Sequence, residues 1–295
     1  RNMPQQCRNK AAQLGITDYA NSEEMLDKLR ALPAANIGVS LHNQVKEPDV
    51  DFETVPLIDG DFFPESLEEL RKRAKPKPMI FGVTKEEGIL MIQGKNATEK
   101  DLEEVITVAT HDARNKQKLA DELKSAYFED GIPENRDVFL RKMANIASDY
   151  WFNGTVEEMC RKTVALQDES VYLYIFDHFN PATMGFVLKN MPIHDAIHCG
   201  DLLYLFKKSI FGFTTLTEED KHVMNLFTSA FTNFAKHWDP NESEGDSNLP
   251  VYWKPLDKEN HSRNYVFTSN TPFMNERFFE GRPAKFVEIV NTHRA

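Results

Sequence analysis

Met79-Ile80-Phe81-Gly82-Val83-Thr84, followed by Lys85-Glu86-Glu87-Gly88, is the stretch that decides the fold. It follows a proline-rich stop, Lys75-Pro76-Lys77-Pro78. A short unbroken apolar run after such a stop predicts a strand buried on both faces, as in a parallel sheet. A second run of the same kind is Val171-Tyr172-Leu173-Tyr174-Ile175-Phe176. Between the two lies helical patterning. Leu102, Val105, Ile106, Ala109, Ala113, Leu119 and Leu123 predict one long amphipathic helix, and further helices are expected at about 134–149 and 156–167. Strands separated by helices predict an α/β architecture with a parallel-strand core and flanking helices. Chemistry in such sheets gathers beyond the carboxyl ends of the strands. That rule directs attention to Glu86 and Glu87 after the first strand, and to His194 and His198 downstream of the second.

Outward from this core the signals are local. Ser22 to Leu32 reads as a helix behind a Ser cap, and residues 34–52 as loop with a short extended piece. Val55-Pro56-Leu57-Ile58 runs into a turn at Asp59-Gly60-Asp61. Ser66 with Glu69 predicts a capping box opening a helix through about Ala74. Thr217 with Asp220 predicts another, bearing Val223, Phe227, Phe231 and Phe234, and the acidic stretch 239–248 reads as a solvated loop.

Composition removes several classes. With 35 Lys and Arg against 46 Asp and Glu, the net charge of −11 lacks the basic face that binding nucleic acid requires. No run approaches the ~18 apolar residues of a membrane span. Three cysteines, Cys7, Cys160 and Cys199, are too few and too dispersed for a disulfide scaffold. The sequons at Asn96, Asn153, Asn241 and Asn260 are compatible with secretion.

Four candidate sites stand out. Glu87 is either a surface-turn carboxylate or an acid that accepts a histidine Nδ1–H bond, fixing its tautomer. Its neighbour Glu86 is expected to point elsewhere, into solvent. His198 is either a structural histidine or a general base that takes and returns a proton near neutral pH. His194 and His198, four apart, could share one face of a helix and hold zinc, although Asp195 stands where the zincin pattern has Glu. Cys199 beside His198 is a weak nucleophile reading, because catalytic pairs are neighbours in space rather than in sequence. His111, His178, His222 and His237 belong to no constellation.

The order of these signals carries a resemblance. Val55-Pro56-Leu57-Ile58-Asp59-Gly60-Asp61-Phe62-Phe63-Pro64 is similar to the P-V-V-D-G-D-F-L-P segment of the type-B carboxylesterases, the α/β-hydrolase group that includes cholinesterases. Gly82 to Gly88 resembles their G-V-x-x-x-E-G segment, Tyr172 to His178 their Y-L-Y-x-F-D-H strand, and Ala196 to Phe206 their G-A-x-H-G-D-E-L-x-Y-L-F segment. Thr232 to Asn241 is similar to T-N-F-A-K-x-G-D-P-N. The resemblance implies Glu87 as triad acid, His198 as triad base, a small carboxylic ester as substrate, no metal or organic cofactor, and a secreted or lumenal setting. Cys199 and Trp238 each replace a glycine of these segments, and a Cβ at 199 is expected to crowd the acyl pocket.

The nucleophile elbow G-x-S-x-G does not occur; the nearest shape is Gly38-Val39-Ser40-Leu41-His42. In the family the elbow precedes the acid and base. The chain also opens Arg1-Asn2-Met3-Pro4, without an initiator methionine. The expectation is therefore a single partial domain, 1–295, that is the C-terminal half of an esterase and inactive alone. The alternative is a catalytically inactive esterase-like binding or adhesion protein, against which the presence of both Glu87 and His198 argues.

Overall fold

The computed structural model describes residues 3–37, 56–184, 191, 193–207, 215–241 and 249–293. The chain divides into two compact units, 1–74 and 75–295. The first holds helices Met3–Gln13, Ser22–Arg30, Ala34–Ile37 and Leu67–Arg73. Ala11, Ile16 and Met25 form its small core. The cap of the second helix is Asn21 rather than Ser22: its side chain accepts the Glu24 N–H, because the chain turns helical one residue earlier than the Ser suggests. Ser66 caps Leu67–Arg73 by accepting the Glu69 N–H, while the Glu69 carboxylate takes Lys72, so only the serine half of the expected box forms. The loop expected over 34–52 begins with the helical turn Ala34–Ile37, and its remainder lies outside the described residues. So does the Gly38–His42 segment. The Asp59 carboxylate takes the N–H groups of Asp61 and Phe63, which makes the expected turn.

The second unit is α/β. Strands β1 (Met79–Thr84), β2 (Val171–Asp177), β3 (Asn264–Thr268) and β4 (Phe273–Asn275) form a sheet in that order. β1–β2 and β2–β3 are parallel, β3–β4 antiparallel. The unbroken apolar run of β2 resolves into two faces by its period of two. Val171, Leu173 and Ile175 join Val83, Cys160, Val164, Val266 and Phe278 in one core, whereas Tyr172, Tyr174 and Phe176 join the larger helix-covered core. Gly82 lies opposite Tyr174, whose ring crosses it so closely that a Cβ there would fall 2.0 Å from a ring carbon. Only glycine fits, and the tyrosine is thereby free to reach toward the end of the sheet.

The helical stretch expected as one element over 102–123 is two helices, Glu99–Ala109 and Lys116–Tyr127. Thr110 ends the first with its hydroxyl on the Ile106 carbonyl, and Asn115 opens the second by accepting the Lys118 N–H. Polar side chains here offer the backbone local bonds that compete with continuing the helix. Helices Arg136–Ser148 and Gly154–Leu166 are joined by a π-helical turn, Asp149–Asn153. Further on lie Gly200–Phe206, Glu218–His237 and Arg282–His293. Thr217 and Asp220 make the expected capping box. The acidic loop is not solvated at its start. Asn241 is buried and exchanges two hydrogen bonds with the Trp253 backbone. Asn153 is fully buried too, so of the four sequons these two are closed to glycosylation in the folded chain, while Asn96 is exposed.

Candidate active site

Parallel pairing of β1 with β2 brings two loops to one end of the sheet. The β1 loop carries Glu86 and Glu87; the other carries Asp195 to Cys199. The loops are joined directly, the Glu86 N–H donating to the Ala196 carbonyl at 2.9 Å. Gly88 lets the first loop settle on helix Arg136–Ser148. Its N–H donates to Ser148 Oγ at 2.8 Å, and a Cβ would sit 2.2 Å from the Ala144 carbonyl oxygen.

Glu87 is buried and its carboxylate is divided between two donors. One oxygen accepts the Thr84 N–H at 2.7 Å, and the other lies 2.5 Å from His198 Nδ1. A carboxylate only accepts, so Nδ1 carries the hydrogen and Nε2 is left as the basic nitrogen. The hydrogen bond to Glu87 raises the pKa of His198 above its ordinary value, against an opposing effect of burial. The structure thus brings together the two residues that the sequence singles out.

The remaining candidates separate. Residues 193–199 are irregular rather than helical, so His194 and His198 do not share a helix face. His194 lies by Phe179. Among the described residues no group of three or more His, Cys, Asp or Glu side chains is placed to hold a metal ion. The expected solvation of Glu86 is overturned: its carboxylate is buried and accepts a hydrogen bond from Arg141 at 2.9 Å. Burial and the nearby Asp195 raise its pKa, against the pull of Arg141. Cys199 lines the site, but burial pushes its thiol pKa up, aided by Asp201 and Glu87, and this disfavours the thiolate a nucleophile needs. His178, which ends the strand segment and belongs to no constellation in the sequence, is buried with Asp220 at 2.9 Å, and Tyr204 donates to the same carboxylate oxygen; this is an interior anchor of helix Glu218–His237.

Three contributors escape the sequence reading. Phe152, presented by the π turn, packs its ring 4.5 Å from that of His198 at a tilt of 31°. The turn is anchored by buried Asp149, which accepts bonds from Arg282, Tyr127 and Asn153. Tyr174 donates to Asp201 at 2.8 Å, three residues after the histidine, and burial holds the Asp201 pKa up. A cavity of about 290 Å³ opens at this point, lined by Glu87, His198, Cys199 and Asp201 together with Trp151, Phe152, Thr155, Val156, Leu202, Gly82 and Val83. Its wall is mostly apolar, with Thr155 and the converging ionisable groups as the polar part, the usual composition of a small-molecule site.

Cys199 and Trp238, the two residues standing where the resembling segments have glycine, both adopt left-handed backbone, with φ of 62° and 63°. An L-residue there is strained by about 1–2 kcal/mol. Cys199→Gly is expected to stabilise the fold by about 0.5–1 kcal/mol, the relief of strain being partly offset by glycine's greater entropy loss. Chemical denaturation of the two proteins side by side measures it, and an unchanged or lower midpoint would show that the thiol's packing outweighs the strain.

Comparison with known proteins gives the family. The sequence model of the carboxylesterase family matches residues 1–285. Esterase cest-33 of Caenorhabditis elegans is 31% identical over 243 residues, covering 80% of this chain and 43% of that protein. Bile salt-activated lipase of Homo sapiens is 27% identical over 218 residues, 70% of this chain and 28% of the lipase. Acylcarnitine hydrolase of Rattus norvegicus is 27% identical over 285 residues, 93% of this chain and 47% of the hydrolase. The chain spans less than half the length of each of these relatives. Together with the parallel sheet and the pair of loops at its end, the match over residues 1–285 establishes that the chain belongs to the carboxylesterase family, an α/β-hydrolase family.

Proposed function

We propose that this chain supplies the acid and the base of a serine-type carboxylic-ester hydrolase, and that the nucleophilic serine and the oxyanion donors come from a part of the protein outside these 295 residues. The observation carrying the proposal is the Glu87–His198 pair, 2.5 Å between Oε2 and Nδ1, at the mouth of an apolar cavity. His198 Nε2 takes the serine proton as the oxygen attacks the ester carbonyl, then returns it to the leaving alcohol. Water enters by the same route in reverse and releases the acid. Glu87 holds the imidazole in the tautomer this requires and stabilises the imidazolium that forms.

The proposal has a direct test. The 295-residue chain alone is expected to hydrolyse a short p-nitrophenyl ester no faster than background, since His198 has only water to deprotonate and no oxyanion donors are supplied. The protein that carries this chain is expected to turn the ester over and to be labelled by a fluorophosphonate at a serine outside residues 1–295. Turnover by the isolated chain that His198→Ala abolishes would overturn the assignment of the nucleophile. A whole protein that neither hydrolyses esters nor takes the label would favour the inactive binding module.

A further inference from the structure

Helix Arg136–Ser148 holds the acid loop by two side-chain hydrogen bonds, through Ser148 and through Arg141. The Gly88–Ser148 bond seats the loop. The second contact is Arg141, whose Nη1 donates to Glu86 Oε1 at 2.9 Å and to Asp195 Oδ2 at 3.1 Å. Glu86 immediately precedes the acid Glu87, and Asp195 lies three residues before the base His198. A single guanidinium nitrogen therefore ties the two loops that must hold their side chains in register. Asp195 is gripped from its other oxygen by Lys85, whose ammonium lies 3.7 Å away and also 3.0 Å from Asp177 at the end of β2.

We propose that Arg141 is a positioning residue that fixes the distance between Glu87 and His198 by clamping Glu86 to Asp195. The inference rests on the triad reading of the site but is tested separately from it. Glu86 and Asp195 are both largely withdrawn from water, with side chains 8% and 13% exposed, and two such carboxylates facing each other repel strongly unless a cation lies between them. The backbone bond from Glu86 to Ala196 spans the same gap, so repulsion between the carboxylates would stretch a link that holds the two loops side by side. A triad tolerates little of this, because a displacement of about 1 Å between catalytic groups costs on the order of 100-fold in rate.

The experiment uses the whole protein that carries this chain, as wild type, Arg141→Met, Arg141→Lys, Asp195→Gly and the double variant of Arg141→Met with Asp195→Gly. Two readouts are taken. The first is the far-downfield proton resonance of the His198 Nδ1–H held by Glu87, assigned by its loss in His198→Ala; it needs no activity. The second is kcat per active site, counted by fluorophosphonate titration so that unfolded protein does not contribute, together with KM. Arg141→Met is expected to shift or broaden the resonance and to lower kcat at least 10-fold with KM within about twofold. Arg141→Lys, which keeps a cation between the carboxylates, is expected to restore most of both. Asp195→Gly removes the repulsion and should make the Arg141→Met change nearly silent when the two are combined. If Arg141→Met lowers only the melting temperature, leaving the resonance and kcat per site unchanged, the residue is merely structural and the proposal fails while the triad stands. If the resonance moves in Arg141→Met although the wild type hydrolyses no ester, the clamp stands and the proposed activity fails.

Discussion

His198→Ala, in the protein that carries this chain, is expected to lower kcat/KM for ester hydrolysis by about four orders of magnitude or more. The size follows from what remains. Without an imidazole, the nucleophilic oxygen has no acceptor for its proton, and only binding and oxyanion stabilisation persist. The fold should tolerate the change. The His198 side chain is about one-third exposed and its ring packs against Phe152, so truncation opens space at a surface cavity rather than in the core. Glu87 keeps the Thr84 N–H as a partner. A melting temperature within a few degrees of wild type is therefore expected beside the collapse in rate. A variant that keeps more than about a tenth of the activity would show that another group is the base.

Particular residues show what the sequence makes legible. The strands at 79 and 171 are legible because burial on both faces writes itself as an unbroken apolar run. Glu87 is legible because it follows a strand end, and both it and His198 because each sits inside a recognisable segment. Glu86 is misread because its burial is decided by Arg141, 55 residues away, and nothing local to Lys85-Glu86-Glu87 marks that partner. Phe152 is invisible for a different reason. It belongs to a π turn between two helices, and a one-residue surplus in the helical ladder redirects a side chain without altering the apolar periodicity. The strand Asn264–Thr268 has only three apolar residues, Tyr265-Val266-Phe267, too short a run to separate from a loop until its pairing with β2 is seen. Cys199 is the instructive middle case. The substitution of a family glycine is plain in the sequence, but the sequence suggests crowding, whereas the structure shows in addition a left-handed backbone on which the cysteine is strained.

Glu87→Gln is the sharper probe of the site, because it keeps the shape and changes only the hydrogens. The Thr84 N–H demands an acceptor at one terminal atom of this side chain. The amide oxygen will take that place, which turns the amide NH₂ toward His198 Nδ1. Nδ1 must then accept, and the imidazole hydrogen moves to Nε2, the atom that has to receive the serine proton. The expected loss is about 10³–10⁴ in kcat with little change in KM, the cost of presenting the wrong tautomer. The pH profile supplies an independent sign. The bond from Glu87 is the chief cause raising the His198 pKa, so its loss lowers that pKa and moves the acid limb of kcat/KM to lower pH. Stability carries the same signature. A folded-state pKa above the unfolded value of ~6.5 adds stability that is fully present below that value and is lost as pH rises through the folded pKa. The difference in melting temperature between wild type and Glu87→Gln is therefore expected to be larger at pH 6 than at pH 8.5. An acid limb that stays in place, or a variant within tenfold of wild-type kcat, would mean that the imidazole is oriented by a group other than Glu87.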